Sequence, residues 1–312
     1  MKILLAGSGF KNFLFKGTIF LATVVTADFV IGKSLKKIYF KQDHGLDYLT
    51  TYAIEKTTAP VIVLGSSRAL NIFNPAIIEK RLALPCYNAG RYGEPVFYHY
   101  ALLKSILKRY TPAIIILSFD ARDFAKDQKD YDLISALLPY YESHPEMKEV
   151  IDLKGPCEKL KMVSQIYPFN SLVLPSITGN LKFGKDNTAN ISGFIPLLPV
   201  FKGPLQTMDF AQWAILDTVK INIYTAFIKS CISAKVQLYI VCPPYLINAI
   251  GVDNSIITGK NIAREYGIPF LDFSRNSFYT NQPELFYDFR HLNEKGTTIF
   301  TKQIADSIKQ HL

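Results

Sequence analysis

Hydrophobic residues in this chain come in blocks. Residues 61–64 and 113–117 are apolar throughout, and 236–241 nearly so. A run without polar alternation suits a strand covered on both faces, as in a parallel sheet sandwiched by helices. Between these runs the apolar positions fall at helical spacing over 76–82, about 94–109, about 210–234, about 255–266 and from 292 to the end. The first of these helices opens on Asn74-Pro75, a capping side chain followed by proline at the first helical position. Short strands at 86–88 and 269–272 complete the alternation. The pattern predicts an α/β fold, a doubly wound, flavodoxin-like, mostly parallel five-stranded sheet with helices on both faces and a site at the strands' C-terminal ends.

Two regions depart from this rhythm. Residues 13–31 read FLFKGTIFLATVVTADFVI, interrupted only by Lys16 and Asp28. Nineteen residues of helix match a hydrocarbon core of roughly 30 Å, and both charges lie near the ends of the stretch. No small-residue cleavage pattern follows, so residues 1–32 are expected to form an uncleaved membrane anchor and 33–58 a polar connector to a domain spanning 59–312. Lys2, Lys11 and Lys16 precede the span while Lys33, Lys36, Lys37 and Lys41 follow it, so charge does not set the orientation. The second region, about 124–210, is rich in Pro, Gly and aromatics (Tyr140, Tyr141, Tyr167, Phe169, Phe183, Phe194, Phe201). It reads as an insertion packed over the catalytic edge, whose rings could stack on sugar faces or serve as core.

Composition narrows the function classes. The chain has 312 residues, 49% hydrophobic and 20% charged, with a formal net charge of +9. Its lysines are dispersed, with no dense basic block interleaved with aromatics, so a nucleic-acid partner is not expected. Cys86, Cys157, Cys231 and Cys242 are far apart and form no metal-ligand pattern; no metal and no cofactor are expected, and Cys86 and Cys242 read as small core residues. No GxGxxG or P-loop motif accompanies Gly65-Ser66-Ser67-Arg68, which argues against a nucleotide-binding role.

Candidate chemistry lies at two remote points. Val61-Ile62-Val63-Leu64-Gly65-Ser66-Ser67-Arg68 reads as a buried strand running into a glycine-serine turn that lifts a hydroxyl to the end of the sheet. Asp288-Phe289-Arg290-His291-Leu292-Asn293-Glu294-Lys295-Gly296 sets a carboxylate three residues before an imidazole. A serine hydroxyl needs a base to become nucleophilic, and the base needs an orienting acid. Ser67, His291 and Asp288 are the candidates, with Ser66 the second choice of hydroxyl. The other histidines, His44, His99, His144 and His311, lack a carboxylate in a comparable turn.

These motifs resemble the conserved blocks of the SGNH/GDSL hydrolase superfamily over most of 59–312. Gly65-Ser66-Ser67 is similar to its first block, in which serine is third, and Asp288-x-x-His291 to its fifth. Asn88-Ala89-Gly90-Arg91-Tyr92-Gly93 matches the Asn-Ala-x-x-x-Gly of the second block, which implies that the Gly93 N–H helps to bind the oxyanion, alongside the N–H of Ser67. The third block departs: Asp120 stands where the family carries an asparagine donor, and an ionised carboxylate cannot donate. Either fewer donors hold the oxyanion, or Arg68 or Arg122 substitutes. The Gly-Ser-Ser-Arg form resembles the family's membrane-anchored branch, exemplified by the D-alanine transfer protein of teichoic-acid modification and by polysaccharide O-acetyltransferases. The resemblance implies ester hydrolysis or O-acyl transfer through an acyl-enzyme, on a carbohydrate of the cell envelope, on the extracytoplasmic (periplasmic or cell-surface) side. Its implied partners are an acyl donor, a glycan acceptor and a multi-spanning membrane acyltransferase. The Asp120 departure supports an alternative, a non-catalytic binding or assembly factor for cell-surface polymer.

Overall fold

The computed structural model describes residues 8–181 and 192–311. Its strands are β1 (Val61–Leu64), β2 (Cys86–Asn88), β3 (Ile114–Ser118), β4 (Gln206–Asp209), β5 (Gln237–Cys242), β6 (Ile247–Ile250) and β7 (Phe270–Asp272). Five form one sheet in the order β2-β1-β3-β5-β7, with every neighbouring pair parallel. This is the doubly wound order expected from the sequence, which winds to one edge and then crosses back to build the other. Strands β4 and β6 pair separately. Their side chains are largely exposed, so they leave no apolar run to betray them.

The continuous apolar strands are explained by two cores. Ile62, Leu64, Ile115 and Leu117 point into one and Val61, Val63, Ile114 and Ile116 into the other, as the period-two geometry of a strand requires. The helices Val96–Arg109 and Thr218–Ser233 supply Phe97, Ala101, Ile223 and Phe227 to the first face. The helices Pro75–Leu82 and Glu294–Lys309 supply Ile78, Leu82, Phe300 and Ile304 to the second. Capping sets two boundaries that periodicity blurred. The helix expected over 210–234 is a 3-10 turn, Phe210–Trp213, followed by Thr218–Ser233, because the Asp217 side chain accepts from the N–H of Val219 and starts a new helix. The last helix begins at Glu294, where Asn293 accepts from the N–H of Gly296.

At the N-terminus one unbroken helix, Ser8–Phe40, is long and apolar enough to cross a membrane, with a mean hydropathy of 1.7 over its most apolar window. Residues 9–27 are exposed throughout. From Asp28 onward the helix docks on the domain: the Asp28 carboxylate accepts from Ser164 Oγ (2.5 Å) and from the N–H of Gln165 (2.7 Å) and Ile166 (3.3 Å). Gly32 is buried against the Gln165 backbone, where a Cβ would lie 2.3 Å from the carbonyl carbon. Residues 33–58 continue as the end of this helix and a second one, Gly45–Glu55. The second is held by Arg91, which donates to Asp47 at 2.8 Å.

The aromatics of 124–210 are mainly core. Tyr140 and Phe169 belong to the first core, against which Tyr141 and Tyr167 pack from partly buried positions; Phe194 is buried, and Phe201 packs on the second core. A groove of sugar-stacking rings is therefore not what these residues build; Phe183 lies outside the described residues. Cys86, Cys231 and Cys242 are buried free thiols, and Cys157 is exposed.

Asp253 is one of the buried side chains with an unpaired polar atom. Its Oδ1 caps the helix Asn254–Glu265 by accepting from the Ile256 N–H, while its buried Oδ2 has no hydrogen-bond partner. Burial, reinforced by the negative charge of Asp120, pushes its carboxyl up to about 6. An acid with a raised folded pKa holds its proton longer in the folded state, so its contribution to stability falls as pH climbs from about 4 to about 6. Asp253→Asn keeps the cap and removes the charge. Its melting temperature is expected to exceed the wild type's by a few degrees at pH 8, on the order of 1 kcal/mol, and to match it near pH 4; thermal melts at both pH values check this.

Candidate active site

The turn after β1 is shaped by a glycine that nothing else can replace. Gly65 has φ +144°, and a Cβ there would lie 2.7 Å from Ser118 Cβ and 2.9 Å from Ala69 Cβ. Its carbonyl accepts from the Arg91 N–H at 3.0 Å, tying the turn to the loop after β2. Ser66 then caps the helix Ser67–Ile72, its hydroxyl accepting from the Arg68 N–H. That leaves Ser67 as the first helical residue, with its N–H in the turn where helical donors have no intrahelical acceptor. Asn88 secures the arrangement from β2: its amide donates to the carbonyls of Ala69 and Phe73 (2.7 and 2.8 Å), and its Oδ1 accepts from the Gly90 N–H (2.9 Å). Gly65→Ala is expected to misplace Ser67, lowering its reactivity at least tenfold and the melting temperature by several degrees, because an L residue is strained there and its Cβ collides. Labelling rate and thermal melt of the purified variant check both.

At the other end of the chain, Asp288 organises its own turn. Its Oδ1 accepts from the N–H groups of Arg290 (2.7 Å) and His291 (2.8 Å), which explains why the acid and the imidazole sit three residues apart. The same carboxylate meets His291 Nδ1 at 2.9 and 3.0 Å. Burial alone would raise the Asp288 carboxyl, but the His291 ring and these two N–H groups outweigh it and hold it below the usual carboxylate value. With Nδ1 engaged, Nε2 is turned to Ser67 Oγ, 2.8 Å away. The fold thus brings together side chains 224 residues apart in sequence. Of the two hydroxyls considered, Ser67 is the one beside the imidazole.

Sequence reading missed what holds these two turns in register. Asp120 is buried at the end of β3. It accepts from Arg290 Nη2 at 2.8 Å and from the Tyr245 hydroxyl at 2.9 Å, and lies 4.0 Å from Arg68 Nη1. Arg68 follows Ser67, and Arg290 precedes His291. Arg68 is fully buried and its guanidinium stacks on the Tyr245 ring at 3.7 Å. It donates to the carbonyls of Pro243 (2.5 Å), Pro244 (2.7 Å) and Arg290 (3.1 Å). Burial would push the Asp120 carboxyl up; the Arg290 and Arg68 charges, with the hydrogen bonds from Arg290 and Tyr245, overcome this and hold it well below the usual range. The expectation of Arg68 as an oxyanion donor is corrected on its position: the side chain is fully buried beneath the site and does not line the cleft, its Nε and Nη2 donate to carbonyls, and its Nη1 faces Asp120 without a hydrogen-bond partner. The Asp120 carboxylate accepts at each of its hydrogen bonds and supplies no donor either. The legible signal was position: an arginine beside each reacting residue, and a charged side chain at the end of a buried strand.

A cleft of about 520 Å³ opens beside this arrangement, lined by Ser67, Gly93, Asp120, Asp123, Arg122 and Arg290 among others. Gly93 has φ +73° and open space around its α-carbon. Arg122 reaches the cleft wall, but its Nη2 is drawn to Asp127 (3.2 Å) and Asp130 (3.7 Å). Asp130 in turn pairs with the buried Lys220. Among the described residues no aromatic ring lines the cleft. Among the described residues no group of His, Cys, Asp and Glu has a metal-binding arrangement.

His144 does have carboxylate partners, contrary to the sequence reading: Glu55 and Glu146, each at 2.7 Å. Glu55 lies 89 residues away, beyond what local spacing shows. The nearby Ser105 is buried and donates to Glu146 at 2.7 Å, so this cluster pins helices together. His44 pairs with its neighbour Asp43.

No protein-family model matches the chain, and no curated protein matches it either. Several solved structures are similar, two of them as follows. One is the crystal structure of an acetyl xylan esterase, 11% identical, covering 81% of this chain and 99% of that one with a TM-score of 0.40. The other, from Bacteroides fragilis and described as an acylhydrolase, is 9% identical and covers 80% of this chain and 86% of that one with a TM-score of 0.40.

Proposed function

We propose that this chain is a serine-dependent acyl-ester hydrolase or O-acyltransferase, held to a membrane by its N-terminal helix and acting on an extracytoplasmic carbohydrate ester. The observation that carries the reading is the unbroken relay Asp288–His291–Ser67, with its contacts of 2.9 and 2.8 Å. Ser67 Oγ attacks the acyl carbonyl as His291 Nε2 takes its proton. The N–H groups of Ser67 and Gly93 receive the developing oxyanion. His291 then gives the proton to the departing alkoxide, leaving an acyl group on Ser67. In the second half, water or a sugar hydroxyl loses its proton to His291 and attacks the acyl-enzyme, and the proton returns to Ser67. Asp288 stays ionised throughout and stabilises the imidazolium. No cofactor enters this scheme. A cleft lined mainly by charged side chains, with no aromatic ring among its described lining residues, suits hydroxyl-rich substrates read by hydrogen bonds.

The test is ester turnover by the full chain in detergent, first on a small acetyl ester and then on acetylated oligosaccharides. Release of acetate that disappears in Ser67→Ala supports the reading, and mass-spectrometric transfer of acetyl to an added glycan identifies a transferase. A folded wild type with neither activity leaves the alternative, a polymer-binding factor, which the lack of an asparagine donor at Asp120 favours.

A further inference from the structure

The N-terminal helix is fused to the domain rather than merely tethering it, and the fusion point fixes a depth. The part that protrudes, residues 9–27, is exposed on all sides. At 1.5 Å per residue it is about 28 Å long, close to the roughly 30 Å of a hydrocarbon core. Docking begins at Asp28, where the loop carrying Ser164, Gln165 and Ile166 closes on the helix. A helix that spans with residues 9–27 therefore places this loop at the membrane surface. Directly preceding the loop are Leu160 and Val163, 73% and 74% exposed, three residues apart and covered by nothing among the described residues. Lys159 and Lys161 flank Leu160, 76% and 46% exposed, and pair with Asp152 and Glu158 at 3.4 and 2.7 Å. On the helix itself Lys33 and Lys37 are exposed just past Asp28.

We infer that Leu160 and Val163 form a membrane seat, entering the boundary between headgroups and acyl chains beside the anchor, with the flanking lysines at the phosphate level. The occupant is a lipid surface because the pair continues the apolar surface of the helix at the depth where that helix leaves the hydrocarbon. Apolar side chains alternating with lysines suit that boundary, where the lysine stems snorkel toward the headgroups. Two attachment points, helix and seat, hold the domain at one tilt and so hold the Ser67 cleft at one height above the bilayer. The inference rests on the anchor reading.

The experiment uses the full chain in vesicles of phosphatidylcholine and phosphatidylglycerol in equal parts. An environment-sensitive fluorophore is placed on Val163→Cys in a Cys157→Ser background, the other three cysteines being buried. Parallel samples carry it on Val24→Cys and on the exposed Ile215→Cys. The expected result is a blue-shifted Val163 probe, quenched by at least half by lipid nitroxides high on the acyl chain. The Val24 probe is quenched by nitroxides deep in the bilayer, and the Ile215 probe is not quenched. A quenched Val24 with a water-like Val163 overturns the seat and leaves the anchor. Quenching at neither overturns both, and equal quenching at Val163 and Ile215 also overturns the seat.

Discussion

His291→Ala lowers ester turnover by at least about a thousandfold while moving the melting temperature by no more than a few degrees. The size follows from the chemistry: at neutral pH a serine hydroxyl without a base is almost wholly protonated, and His291 Nε2 is the base that lies within reach of Ser67 Oγ among the described residues. The small structural cost follows from the position. The imidazole is 16% exposed, and the turn around it is held by the backbone N–H groups of residues 290 and 291 donating to Asp288 Oδ1, bonds that survive removal of the ring. Because the two residues act as a unit, the double variant Ser67→Ala/His291→Ala is expected to be no slower than either single variant. Steady-state kinetics on the four proteins check this; additive losses would mean that the two side chains work independently.

The largest expected effect on stability is at Asp120. Removing one member of a buried ion pair leaves an uncompensated charge and costs about 3–5 kcal/mol. Here Asp120→Ala strands both Arg290 and the fully buried Arg68. A melting temperature lower by roughly 10 °C is expected for a domain of this size, with a fall in turnover because the two arginines adjoin Ser67 and His291. Asp120→Asn separates this account from motif comparison. Read as a motif, it restores the family's asparagine and should improve activity. Read from the geometry, it removes the charge that holds Arg290 at 2.8 Å, and is expected to lower both stability and turnover. Thermal melts and kinetics of the two variants decide between these readings.

Which parts were legible from sequence follows from how local their causes are. The strands of the main sheet were readable because both faces are buried, so every residue of Val61–Leu64 had to be apolar. The Asp288–His291 pairing was readable because one turn contains both groups and the backbone bonds that shape it. The register of the two turns was not, because it depends on Asp120, Tyr245 and the Pro243 and Pro244 carbonyls, which reach Arg68 and Arg290 only through the fold. Arg68 illustrates the difficulty. An arginine beside a nucleophile suggests a substrate contact, yet this one is a buried strut. The paired strands β4 and β6 and the docked half of the N-terminal helix escaped for a related reason, since exposed strands have no apolar signature and Asp28 finds its partners in a loop more than a hundred residues away.

A Ser67 hydroxyl activated by His291 is expected to react with a fluorophosphonate. Peptide mapping of the labelled full chain should find a single adduct, on Ser67, absent in Ser67→Ala, strongly reduced in His291→Ala and retained in Ser66→Ala. An adduct on Ser66, or a folded wild-type chain that takes none, would contradict it.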